Sequence, residues 1–155
     1  MSFKPVQGGC QCGANTFTIK AQPIVRFKCH CLVCQQYSGK AYNDVSVFLR
    51  KDVEQIQAEN TNFKRYKLPP NIRRGKCKIC HQPSIELALV GQLLIVPTMN
   101  IQEPNLLSAP SMHLFYHRRV ANVEDNLPKY NGFMSSQMMV SLEITKGICQ
   151  NLVNS

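Results

Sequence analysis

The eight cysteines of this 155-residue chain constrain its fold more than any other feature. Seven of them stand in three tight clusters, Cys10-x-Cys12, Cys29-x-Cys31-x-x-Cys34 and Cys77-x-x-Cys80. A disulfide framework spreads cysteines along a chain to close loops, whereas metal sites gather them in short knuckles. The N-terminal stretch Met1–Gly9 has no apolar core of a signal peptide, and no apolar run approaches the ~18 residues that span a bilayer. The chain therefore reads as cytoplasmic and without a membrane partner, in a reducing compartment where structural disulfides rarely persist. Zinc thiolates satisfy both the spacing and the compartment. Cys149 stands outside the clusters and reads as a free thiol.

Zinc takes soft thiolates in tetrahedral geometry, and structural sites fill all four positions from two short knuckles. Cys10, Cys12, Cys77 and Cys80 make such a set, with Gly8, Gly9 and Gly13 beside the first knuckle where backbone bends around an ion. Cys29, Cys31 and Cys34 offer only three thiolates. Three protein ligands with an open fourth position is the pattern of a reactive zinc, which makes these cysteines candidate catalytic ligands. Alternatively, His81, His113, His117 or Cys149 closes the site from elsewhere in the chain. His30, on an extended segment, points away from Cys29 and Cys31. Two zinc ions per chain are expected. The run Cys77-Lys-Ile-Cys-His81 also matches a covalent haem motif, but that reading strands Cys10 and Cys12 without partners.

The apolar pattern has a period of two rather than 3.6 over most of the chain. Strands are expected over 15–20, 25–29, 45–49, 63–68, 84–90, 93–96, 113–117 and 138–144, with a hairpin turn at Gly91-Gln92. Helix is expected only as a turn at Leu32–Ser38 and a short piece over 52–57. The segments 97–110 and 122–132 are long loops that serve either as binding surface or as plain connection. The whole reads as one all-β domain, 1–155. Its formal charge of +9 falls to about +6 once seven thiolates and two Zn²⁺ are counted. Lys64, Arg65, Lys67, Arg73, Arg74, Lys76 and Lys78 concentrate that charge. The stretch is read as a solvated face or as cations beside a zinc thiolate site; a small anionic ligand or nucleic acid are its alternatives. Tyr66 alone supplies little of the aromatic interleaving that single-strand binders use.

Gly8-Gly-Cys-Gln-Cys-Gly13, then Cys29-His-Cys-Leu-Val-Cys34 with Ser38-Gly39, then Cys77-Lys-Ile-Cys80 resemble the glutathione-dependent formaldehyde-activating enzyme family, which includes centromere protein V. Pro97, His113-Leu-Phe115 and Leu127-Pro-Lys-Tyr130 are similar to its tail, so the family-like core runs over about 8–130. The resemblance implies a mainly-β, β-tent zinc-binding fold of antiparallel sheets, like that of the Rab-GTPase chaperones, with little helix. It implies a structural zinc on Cys10, Cys12, Cys77 and Cys80 and a second zinc on Cys29, Cys31 and Cys34. It also implies carbon–sulfur lyase chemistry, the reversible joining of glutathione and formaldehyde as S-hydroxymethylglutathione. Two departures stand out: His81 and Gln82 replace the glycine and serine that usually follow the last knuckle, and no tryptophan occurs near Val120–Asn122. In such an enzyme His30 or His113 is a candidate proton carrier, and Arg73 or Arg74 a candidate holder of glutathione carboxylates. A non-enzymatic zinc module that binds protein or nucleic acid through its basic face is the alternative, and a redox sensor or metal store a third.

Overall fold

The computed structural model describes residues 2–56, 58–68 and 71–155. Two sheets form the body. The smaller has the order β1 (Val6–Gly9), β2 (Thr16–Ile19) and β5 (Val53–Ile56), all antiparallel. The larger has seven strands. They run β10 (His113–Leu114), β3 (Val25–Cys29), β4 (Asn43–Leu49), β9 (Leu93–Pro97), β8 (Pro83–Ala88), β7 (Arg73–Cys77) and β6 (Thr61–Arg65). Its neighbours are antiparallel except β10, which lies parallel to β3. Among the described residues, two α-helices complete the fold, α1 (Leu32–Ser38) and α2 (Phe133–Asn154).

The central strands of the larger sheet are buried on both faces, which explains the near-continuous apolar runs of β4 and β9. Phe48, Leu94 and Val96 point to one side and pack with Val6, Phe17 and Ile19 of the small sheet. Val45, Val47, Leu93 and Ile95 point to the other and pack with Phe27, Leu114 and the apolar stripe Met139, Val140 and Ile144 of α2. Helix α2 sits close to β3: a Cβ on Gly147 would collide with the Ile24 side chain. The Ser136 hydroxyl accepts the Phe115 N–H at 2.9 Å and ties the start of the helix down.

The segment 138–144, expected as a strand, lies inside α2. Val140 and Ile144 are β-formers, but with Ser136 and Gly147 they recur at helical spacing on the face turned to the core, and packing overrides propensity there. The short helix expected over 52–57 is also corrected. Arg50–Asp52 form a single 3₁₀ turn and Val53–Ile56 pair with β2; residue 57 lies outside the described residues. The 63–68 strand begins earlier, at Thr61, and stops at Arg65. The 113–117 strand breaks after Leu114, where Phe115 adopts φ 53°. The expected turn does join β8 to β9, although Leu89 and Val90 share its left-handed backbone with Gly91.

The two long loops are both tied to the body. Ile101 bridges to Gly8 and packs in the core between the sheets, and Lys129 pairs with His113. Among the described residues, no helix is long and apolar enough to cross a membrane.

Candidate metal centres and the adjoining cleft

Cys10 follows β1 directly, and Cys77 ends β7 with Cys80 in the turn beyond it. The two hairpin tips meet although 65 residues separate Cys12 from Cys77. Side-chain amides lock them together. Asn15 donates to the Asn60 carbonyl at 3.2 Å, Asn60 donates to the Ala14 carbonyl at 2.9 Å, and Thr61 donates to Asn15 at 2.7 Å. The four Sγ atoms lie within 4.8 Å of one another, with Cys10–Cys12 at 3.5 Å and Cys12–Cys77 at 3.6 Å. These spacings are far beyond the ~2.05 Å of a disulfide. They approach the edge of about 3.8 Å that a tetrahedron with ~2.3 Å zinc–sulfur bonds requires. Backbone N–H groups aim at the sulfurs, Asn15 at Cys10 and Ile79 at Cys77, each at 3.3 Å. Burial opposes ionisation of Cys77, yet the N–H groups of Cys80 and Ile79 draw its thiol down to about 6. His81 takes the position after the knuckle with φ 60°, its N–H donating to the Cys77 carbonyl at 3.0 Å.

The second cluster forms where β3 runs into α1. Cys29 closes the strand, Cys31 caps the helix by accepting the Cys34 N–H at 3.3 Å, and Cys34 lies in the first turn. Cys29 and Cys34 are buried, and all three sulfurs lie within 4.8 Å of one another. Hydrogen bonds from Cys29 and Cys34 hold the Cys31 thiol down to about 3, while the same contacts and burial push Cys34 up. Three sulfurs so close, two of them buried, can ionise together only around a cation, so the donor set fits a soft divalent ion such as zinc. No fourth His, Cys, Asp or Glu joins the three among the described residues. His81 and Cys149 line neither the cluster nor its cleft, and His117 reaches the cleft but accepts the Gly132 N–H at 2.8 Å.

The three cysteines stand on the wall of a cleft of about 560 Å³ between the larger sheet and α2. Arg74 and Glu86 share that wall, with Arg74 Nη2 at 3.9 Å from Cys34 Sγ and Nε at 3.1 Å from Glu86 Oε2. The Nε–H does not aim at the carboxylate, so the contact is an ion pair rather than a hydrogen bond. Both groups are buried; burial pushes the Glu86 carboxyl up to about 7 against the opposing pull of Arg74. Neither residue stood out in the sequence in this role, though an acid inside the apolar strand Pro83–Ala88 is a signal that it is paired or used.

His30 and His113 do not reach the cleft. Their rings are 1% and 0% exposed, with His30 Nε2 at 2.8 Å from His113 Nδ1 and His113 Nε2 at 2.9 Å from Asp125. The carboxylate fixes the proton on His113 Nε2, so Nδ1 of a neutral His113 accepts from His30. Burial, then the nearby His113, pushes His30 down to about 4, which keeps it uncharged at neutral pH. The chain Asp125–His113–His30 clamps the Cys29–Cys31 knuckle from behind. Arg73 is exposed and lies over the Phe63 ring at 5.7 Å. Of the basic run, Lys64 and Arg65 lie exposed on the edge strand β6, where they discourage edge-to-edge pairing, Arg73, Arg74 and Lys76 lie on its neighbour β7, and Lys67 and Lys78 lie beyond the two strands.

Fold and site together define a class, a mainly-β protein with one four-thiolate and one three-thiolate cluster compatible with zinc. Residues 5–118 match the family described as glutathione-dependent formaldehyde-activating enzyme, and the chain belongs to that family. No curated protein matches it in sequence. Among solved structures it is similar to a Rhodobacter sphaeroides protein determined by structural genomics, at 14% identity and a TM-score of 0.52. That likeness covers 80% of this chain and 99% of the other, and bears on the fold alone.

Proposed function

We propose that the chain is a zinc-dependent carbon–sulfur lyase that handles glutathione, or a related thiol, as its adduct with an aldehyde. The observation that carries this reading is the set of three thiolates on a cleft wall with no fourth protein ligand among the described residues. Cys10, Cys12, Cys77 and Cys80 would hold a structural zinc; Cys29, Cys31 and Cys34 would hold the reactive one. A zinc ion there would supply Lewis acidity that lowers the pKa of a thiol at its open position. Arg74, beside Cys34, offsets the negative charge that gathers as thiolates accumulate. Glu86 can hold the proton released by the thiol and return it to the oxygen formed when sulfur adds to a carbonyl carbon. Lys67 and Arg118, both exposed on the cleft wall, suit the carboxylates of glutathione. His30 and His113 position the knuckle rather than carry the proton.

Native mass spectrometry with excess reduced glutathione tests the reading. Two zinc ions plus one glutathione are expected, with Cys31→Ser losing one zinc and the glutathione. Two zinc ions and no glutathione would refute it. The second reading, a module binding nucleic acid or protein, rests on the exposed cations Lys64, Arg65, Arg73 and Lys78 of the edge hairpin. Nucleic-acid affinity would then fall steeply between 50 and about 200 mM salt.

A further inference from the structure

The cleft extends well beyond the cysteines. On one face of the larger sheet Cys29 is opposed by Asn43, Phe27 by Val45 and Val25 by Val47, with Ile95 opposite Val47 on the next strand. Of these, Cys29, Phe27, Val45, Val47 and Ile95 line the cleft, and four residues separate the Cys29 rung from the Val47 rung, which at ~3.4 Å per residue gives a floor about 14 Å long. Val140 and Ile144 of α2 roof it. The charged groups on the cleft gather elsewhere: Arg74 and Glu86 pair with each other beside Cys34, and Lys67 lies over the Phe133 ring at 5.7 Å at the exposed start of α2.

A one-carbon aldehyde would leave this floor and roof unused. Glutathione pressed along it would set amides and carboxylates against valine, phenylalanine and isoleucine, with no partners for them. Helix α2 also follows the residues matched to the family, 5–118, so the roof belongs to this chain's own C-terminal segment. We infer that the aldehyde half of the adduct carries an apolar chain or ring that fills the space between the sheet and α2. This inference rests on the thiol–aldehyde reading above. In the reaction the thiol sulfur bonds to the aldehyde carbon and the carbonyl π pair moves to oxygen. That oxygen takes up the proton the thiol lost, and nothing is oxidised or reduced.

Two measurements on the zinc-loaded full chain test it. In the first, 1-octanol is titrated while methyl NMR signals are followed; shifts at Val47, Ile95 and Val140 are expected, and Val140→Trp, which fills the roof, should remove them. In the second, glutathione adduct formation is followed by NMR exchange with formaldehyde, propanal and hexanal. Catalytic efficiency should rise by about fourfold per added methylene, the equivalent of about 0.8 kcal/mol. Methyl signals unmoved by octanol would overturn the inference. So would an efficiency that is flat or falls from formaldehyde to hexanal, and in that case the thiol–aldehyde reading would stand. Octanol shifts with no turnover of any aldehyde would support the apolar site while refuting the chemistry proposed for it.

Discussion

His81 offers a direct test of how the four-cysteine knuckle is held. Its backbone is left-handed, φ 60°, at the residue that follows Cys80, and its side chain is exposed with no hydrogen bond among the described residues. A residue with a Cβ loses about 1–2 kcal/mol in that conformation. Replacement by glycine removes this strain but gives the unfolded chain more freedom, an opposing effect of about 0.4–1 kcal/mol. His81→Gly should therefore stabilise the protein by about 1 kcal/mol. With an unfolding entropy of about 2.1 cal/mol/K per residue over 155 residues, the Tm rises by about 3 °C. The assay is thermal unfolding followed by circular dichroism at one fixed, saturating zinc concentration. His81→Ala is the control, since it deletes the imidazole and keeps the strain, and should leave Tm near the wild-type value. An unchanged or lower Tm for His81→Gly would refute the reasoning, as would an equal rise in His81→Ala.

The two metal centres should separate by their consequences. Cys77→Ser is expected to abolish the folded far-UV spectrum, because binding energy at a four-thiolate site is folding energy. Cys31→Ser should keep the fold and lose one zinc by elemental analysis, since a serine hydroxyl can still cap α1. Arg74→Met leaves Glu86 buried without its partner and should lower stability in urea by about 3 kcal/mol, whereas Arg74→Met/Glu86→Met should recover most of that loss. Asp125 is held well below the usual carboxylate range by Lys129, His113 and Lys28. Its contribution is present above about pH 4, the unfolded value, and is lost as pH falls through and below it. Asp125→Asn should therefore lower the Tm at pH 7, where that contribution is fully present, as read by circular dichroism at saturating zinc; an unchanged Tm would show that the carboxylate contributes nothing to stability.

The two cysteine clusters were the most legible part of the chain, because each knuckle is local and the fold only has to bring two of them together. The alternation that marks β2, β3 and β4 was legible for the same reason. Helix α2 was not: Val140 and Ile144 suggest a strand until the core they face is known, and that core is built by β3, β4 and β9. β7 escaped because Arg73-Arg-Gly-Lys-Cys77 has no apolar period; its pairing with β8 and its glycine, fitted against Thr61 and the Ile85 carbonyl, make it a strand. The histidines illustrate a further limit. His30 beside two cysteines invites a chemical role, but its ring is turned to His113, 83 positions along the chain, and the sequence between them carries no trace of that contact.

The joining of two hairpin tips by Cys10, Cys12, Cys77 and Cys80 also sets a timetable for synthesis. On the ribosome the first two ligands emerge 65 residues ahead of Cys77, a wait of about 3–13 s at ~5–20 residues per second. During that wait Cys10 and Cys12 are nascent thiols that the reducing machinery of the cell must protect. The other cluster closes within a single turn of chain and needs no such delay. If both clusters hold zinc as proposed, metal scarcity would accordingly strike newly made chains through the long-range site, leaving molecules already assembled to fail later and separately, at the cleft.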